Sequence, residues 1–198
     1  MNKVVDPSLA KELAGVTPAA KVDALFAYME RRGQTFYDEV VTQLEHALQC
    51  ASQARGSGAG PVQVTAALLH DLGHFLIDEH NEESAFLLQD FLHEKVGAEY
   101  LEPFFIAAVT EPVKLHVPAK RYICTVDDAY HATLSQASKR SFQLQGGFMS
   151  AAEKAEFEKN PFWEYAVQLR RWDDLGKAKG AQRPGLEAYR EVVQSCLK

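Results

Sequence analysis

The hydrophobic positions of this chain recur at helical spacing almost throughout. Val22, Leu25, Phe26 and Met29 form an apolar stripe that stops near Arg32-Gly33. A short aromatic connection follows, Gln34-Thr35-Phe36-Tyr37. From Asp38 a second helix is predicted, with Val40, Leu44, Ala47, Leu48 and Ala51 buried and Glu39, Thr42, Gln43 and His46 on a polar stripe. Gly56 to Pro61 breaks the pattern, and Pro61 can open the next helix. There Leu68, Leu69, Leu72, Phe75 and Leu76 share a face, which predicts one half-buried helix running through His70-Asp71. Further helices are expected over about 85–101, between Pro103 and Pro112, and from Lys120 onward. Pro118 opposes continuation through His116, so that histidine is expected at a helix junction. Ser135 to Gln145 leads into Gly146-Gly147, a turn whose backbone N–H groups are expected to approach an anion. The last strong helix carries Phe162, Tyr165, Ala166, Leu169 and Trp172 on one face, with Arg170, Asp173 and Lys177 on another. Residues 184–198 read as a capping helix. No alternating pattern is long enough for a sheet, so the fold class is all-α.

Composition narrows the function. A chain of 198 residues is most simply one domain with a sizeable core. Its net charge of −6 argues against general binding to nucleic acid or membranes. The cysteines Cys50, Cys124 and Cys196 are far apart and form no CxxC pair, which points to a reducing compartment. No run approaches the roughly 18–20 apolar residues needed to span a bilayer, and the first residues lack the core of a signal peptide. A cytoplasmic protein is expected. P-loop, dinucleotide-fold and serine-hydrolase motifs are missing.

The candidate chemistry lies in the histidines. In Ala66-Ala67-Leu68-Leu69-His70-Asp71-Leu72-Gly73-His74, an imidazole and a carboxylate are carried into an apolar setting. Burying the pair is costly unless something binds it, and a metal ion does so well. The ordered set His46, His70-Asp71, His93, His116, Asp173 resembles the HD-domain superfamily. Its minimal H…HD…D pattern is carried by His46, His70, Asp71 and Asp173, and His93 and His116 add ligands for a second metal. The words Gln43-Leu44-Glu45-His46, His93-Glu94-Lys95-Val96-Gly97-Ala98, Ala119-Lys120-Arg121-Tyr122, Gln145-Gly146-Gly147 and Trp172-Asp173 look like the phosphonate-cleaving HD-domain oxygenases. The likeness covers about residues 36–190 and implies a single helical HD domain over 1–198, with 1–35 as an N-terminal extension.

That resemblance implies a non-haem diiron dioxygenase. One iron would be held by His46, His70, Asp71 and Asp173, the other by His93 and His116 with Asp71 as the bridge. It also implies a mixed-valent Fe(II)/Fe(III) pair, O2 as co-substrate, a small organophosphonate substrate and an upstream phosphonate hydroxylase. Lys120, Arg170, His74, Ser138 and Gln145 match the family's phosphonate-binding positions, and Glu39 matches a carboxylate facing the substrate's amino end. For Arg170 the competing role is a helix salt bridge to Asp173 or Asp174. The family's primary-amine enzyme has a tyrosine where this chain has Phe36, beside Tyr37, and another at Phe75. Losing those hydroxyls is expected to favour a trimethylammonio substrate, giving glycine betaine and phosphate, over the primary amine, which gives glycine. Metal-dependent phosphoester hydrolysis is the enzymatic alternative, and a ligand-binding HD scaffold the non-enzymatic one.

Overall fold

The computed structural model of this chain describes residues 5–37, 41–77 and 92–198. Every regular element among them is helical, and β pairing is confined to isolated bridges. Helices α1 (Ser8–Leu13) and α2 (Pro18–Arg32) come first. The Thr17 hydroxyl caps α2, Pro18 pre-sets its first turn, and Gly33 ends it where the apolar stripe stops.

Helix α3 spans Gln43–Gly56 and starts five residues later than the stripe suggests. Thr42 is its N-cap, in a reciprocal capping box with Glu45. Ahead of it Phe36 and Thr42 form an isolated antiparallel bridge: Tyr37 N–H donates to Val41 O at 2.9 Å, and Gln43 N–H to Thr35 O at 2.8 Å. Glu39 and the rest of 38–40 lie outside the described residues, as do 78–91 with the acidic cluster around His80.

The expected single helix around His70-Asp71 is two: α4 (Pro61–Leu69) and α5 (Leu72–Leu76). Asp71 sits between them at φ −101°, ψ 15°. The break lets α5 press against α6 (His93–Leu101). A Cβ on Gly73 would lie 2.0 Å from the His93 carbonyl oxygen, and one on Gly97 would lie 3.0 Å from Gly73 N. Gly73→Ala is therefore expected to destabilise the fold by about 3 kcal/mol. A urea melt checks this, and a loss under 1 kcal/mol would show that the two backbones part easily.

Helix α7 runs unbroken over Ala107–Val126, straight through Pro112 and Pro118. The two helices and junction expected there merge into one. Each proline removes one backbone donor, but eleven residues of α7 are buried. Packing along α4, α6 and α11 outweighs those losses. His116 thus stands mid-helix. The chain continues with α8 (Asp128–Thr133), α9 (Gln136–Leu144), α10 (Ala151–Glu158) and α11 (Trp163–Leu175). A 3₁₀ turn, Leu186–Tyr189, and α12 (Arg190–Gln194) follow. On α11, Ala166, Leu169 and Trp172 are buried as expected, but Tyr165 faces solvent.

Two apolar clusters result. One joins α1 to α6 with α12, and the other joins α8 to α10. Helices α7 and α11 contribute to both: Val109, Val113, Leu169 and Trp172 to the first, Ile123 and Ala166 to the second. Polar side chains on these shared helices are held between two packed cores. Among the described residues no helix is long and apolar enough to cross a membrane.

Candidate metal centre

His46 stands on the buried side of α3, and His70-Asp71 fills the break between α4 and α5. His93 opens α6, His116 lies mid-α7, and Asp173 sits near the end of α11. All six are buried.

Backbone carbonyls fix three of the rings. His46 Nδ1 lies 2.9 Å from Gly176 O, His70 Nδ1 2.9 Å from Ala67 O, and His116 Nδ1 2.7 Å from Val113 O. A carbonyl only accepts, so each Nδ1 carries its proton and each Nε2 turns inward with a lone pair. Those lone pairs meet. His46 Nε2 is 3.2 Å from His70 Nε2, and His93 Nε2 is 3.2 Å from His116 Nε2. The His46 and His70 lone pairs repel at that separation unless a proton or metal cation lies between them.

Asp71 gives one oxygen to each histidine pair. Its Oδ2 is 3.4 Å from His46 Nε2 and 3.3 Å from His70 Nε2. Its Oδ1 is 3.4 Å from His93 Nε2 and 3.5 Å from His116 Nε2. Asp173 adds Oδ1 to the first pair, 3.3 Å from His46 Nε2, and this buried oxygen accepts no hydrogen bond. Its other oxygen is 2.5 Å from Arg170 Nη1. Arg170 thus aims Asp173 as well as neutralising it.

The charges suit metal binding. Burial opposes ionising Asp71, yet His70, His46 and His93 hold its carboxyl well below the usual range. Burial opposes Asp173 likewise, and Arg170 and Lys177 hold it low. Burial, with His70 and His93 nearby, keeps His116 neutral. Burial disfavours charge on His46, but the Asp173 and Asp71 carboxylates beside it pull its pKa well above the ordinary value. Surroundings that attract a proton so strongly also attract a metal cation, which displaces it. Imidazole with bridging carboxylate suits a transition metal such as iron or zinc. The donor set fits metal ions, in two groups joined by Asp71.

Two other side chains approach the donors. Cys50 Sγ is 3.7 Å from His46 Nε2, and its grouping with His46 and His70 is geometrically compact. Burial raises its thiol pKa, so it stays protonated and is a poor ligand. His74 stacks on His93, ring centroids 3.9 Å apart at 20°. The cysteine leaves little room: a Cβ on Gly176 would lie 2.4 Å from Cys50 Sγ.

A cationic pocket adjoins the centre. Lys120 on α7 is 3 % exposed and donates from Nζ to Ser141 Oγ at 2.8 Å. Burial, then Arg170 and Lys177, bring its pKa down to about 7. Ser138 is buried in the first turn of α9 and receives a 3.2 Å hydrogen bond from Lys177 Nζ. Arg170, expected on the substrate, spends its guanidinium on Asp173 and Asp174 and donates from Nε to Tyr130 Oη at 3.3 Å. Gln145 is half-buried with Oε1 unpartnered. The Gln145-Gly146-Gly147 turn does not offer its N–H groups to an anion, because all three close the end of α9. Gly147 O instead accepts from Arg121 Nε at 2.9 Å.

The aromatic positions divide. Tyr37 lies flat on His46, centroids 3.9 Å apart at 10°. Burial, then Asp173 and Asp71, push its phenol pKa well above normal. Phe36 points outward, 65 % exposed, and Phe75 belongs to the main core. Sequence reasoning named neither Ser141 nor Tyr130, offered Asp174 only as a salt-bridge partner for Arg170, and gave Lys177 no role. The i, i+4 relation of Lys177 to Asp173 was the available signal.

The fold and this donor set fit an HD-type metal site, and the family model described as HD domain matches residues 44–132. That span includes His46 to His116 and stops before Asp173. A hydroxymethylphosphonate dioxygenase of Gimesia maris is 56 % identical over 199 residues, covering 100 % of this chain and 99 % of its own. The [1-hydroxy-2-(trimethylamino)ethyl]phosphonate dioxygenase (glycine-betaine-forming) of Leisingera caerulea is 41 % identical, over 87 % of this chain and 88 % of that protein. An uncharacterised protein of Acanthamoeba polyphaga mimivirus is 32 % identical, over 84 % and 76 %. The chain belongs to the HD-domain phosphonate dioxygenases.

Proposed function

We propose that this enzyme uses O2 to cleave the C–P bond of hydroxymethylphosphonate, giving formate and phosphate. HOCH2PO3(2−) and O2 give HCOO(−), HPO4(2−) and H(+), so both oxygen atoms are retained. The observation that carries the reading is Asp71, whose two oxygens each serve one histidine pair beside a buried lysine. In this reading His46, His70, Asp71 and Asp173 hold one iron, and Asp71, His93 and His116 the other. Bound iron supplies the redox chemistry with O2.

The chain's own residues hold the substrate. Lys120 and Ser138 bind phosphonate oxygens as cationic and hydroxyl donors. Gln145 has a free carbonyl for the substrate hydroxyl, and His74 braces the His93 ring. Arg170 positions Asp173. Residues 1–198 form one HD domain, with 1–35 as its helical extension. A separate hydroxylase must supply the substrate's hydroxyl.

The choice of substrate rests on what surrounds Tyr37. A trimethylammonium group wants free aromatic faces. Among the described residues Phe36 and Phe75 offer none to the site, and Tyr37 already has His46 stacked on it and the Lys177 ammonium 5.4 Å from its ring centre. A one-carbon substrate needs no such cage, in keeping with the fully covering Gimesia maris relative.

The test is to incubate iron-loaded enzyme anaerobically with hydroxymethylphosphonate and with both C2-amino analogues, then admit O2. Phosphate should appear only after O2, one mole per mole consumed, and fastest with hydroxymethylphosphonate. Release without O2 would make the site hydrolytic, and preference for the trimethylammonio compound would return the substrate to glycine-betaine formation.

A further inference from the structure

Lys177 follows the end of α11 in a backbone pinned on both sides. The carbonyl of Gly176, just before it, lies 2.9 Å from His46 Nδ1. Ala178, just after it, is held at both polar groups by Gln49 of α3: Nε2 to Ala178 O at 3.0 Å, and Ala178 N–H to Oε1 at 2.9 Å. A lysine in a loose tail would wander. This one starts from a fixed point and leads into the site. Its Nζ lies 3.2 Å from Ser138 Oγ, 3.9 Å from Asp173 Oδ1 and 5.4 Å from the Tyr37 ring centre. Its side chain is 16 % exposed, so most of it is covered by these neighbours.

The neighbours give this placement a purpose. Ser138 and Ser141 face the same way from one turn of α9, with Lys177 on one hydroxyl and Lys120 on the other. Arg170 completes three cations, and its charge is committed to Asp173 and Asp174. The two lysines are left facing each other across two serines, and the carboxylate oxygen beside Lys177, Asp173 Oδ1 at 3.9 Å, already belongs to the donor set around His46.

We propose that Lys177 is a specificity-determining residue that grips the substrate's phosphonate opposite Lys120 and repels substrates carrying an ammonium at C2. The inference rests on the phosphonate reading of the site. In a C2-amino analogue the ammonium is two carbons from phosphorus, so a lysine gripping the phosphonate lies near a like charge. Hydroxymethylphosphonate carries no such group.

The experiment compares wild type with Lys177→Gln and Lys177→Arg, using hydroxymethylphosphonate and 2-amino-1-hydroxyethylphosphonate. A second readout is calorimetric binding of methylphosphonate, which has no hydroxyl to oxidise. Losing a charge-assisted hydrogen bond weakens binding by about 10- to 100-fold. Lys177→Gln should weaken methylphosphonate by that factor, raise the hydroxymethylphosphonate KM more than it lowers kcat, and shift the kcat/KM ratio toward the amino substrate. Lys177→Arg should restore most of the binding. Equal losses on both substrates, or unchanged methylphosphonate binding, would overturn the proposal. Wild type that turns over no phosphonate but binds methylphosphonate through Lys177 would sink the dioxygenase reading and the substrate selectivity, leaving only the anion grip.

Discussion

Asp71→Asn is expected to lower turnover by about three orders of magnitude and to leave less than one metal ion per chain. Residues that merely orient a metal ligand already cost about 10- to 100-fold when changed, and Asp71 serves both histidine pairs directly. Asparagine fills the same volume but has one oxygen and a donor N–H₂ in place of the second. That N–H₂ must face the Nε2 atoms of either His46 and His70 or His93 and His116. It would satisfy one pair by hydrogen bonding and prevent it from binding metal. His93→Ala is the comparison, because it touches one pair only and should retain close to one metal per chain. Metal analysis and O2-dependent phosphate release on the folded variants decide the matter. Full metal content in Asp71→Asn would mean that the two groups do not share this carboxylate.

The histidines and aspartates that the fold brings together stood in the sequence as an ordered set, while their geometry was not legible there. Leu68, Leu69, Leu72, Phe75 and Leu76 keep helical spacing across the His70-Asp71 break, since both short helices bury the same side. Periodicity therefore could not reveal the turn that aims Asp71 at two histidine pairs. The signal was Gly73, needed where α5 meets the His93 carbonyl. At α7 the error was the reverse. Pro112 and Pro118 carry a local cost, and a sequence rule sees that cost but not the two cores that α7 serves. At α3 the capping pair Thr42 and Glu45 was visible, but the polar stripe starting at Glu39 was followed past it. Arg170 shows the limit for single residues. Its spacing to Asp173 and Asp174 allowed a salt bridge or a substrate contact, and only the side-chain geometry places it on the aspartates. Lys177 lies beyond the helix end, so its i, i+4 spacing to Asp173 hinted at a contact but did not place the side chain. Its position depends on Gln49, more than a hundred residues earlier.

Lys120→Met is expected to make the metal-free protein more stable while removing most of its activity. The lysine is buried, and its pKa of about 7 against an ordinary 10.5 means that folding discourages its charge. Below pH 7 both folded and unfolded chains are protonated, and the whole penalty of burying the ammonium is present. Between pH 7 and 10.5 the unfolded chain binds the extra proton, so stability rises with pH across that window. Above 10.5 both forms are neutral and the penalty is gone. Methionine avoids the penalty but loses the bond to Ser141, so the net gain at pH 6 should be about 3 kcal/mol and should shrink toward pH 9. Urea melts at the two pH values measure it. For catalysis the sign reverses, because a phosphonate needs the charged form. Wild-type kcat/KM should fall above about pH 7, as Lys120 in the free enzyme loses its proton. The variant should lack that limb, with kcat/KM lower by about 100-fold at pH 6. A variant that is less stable at pH 6, or that keeps the alkaline limb, would show that Lys120 is a structural hydrogen-bond donor and that another group sets the pH dependence.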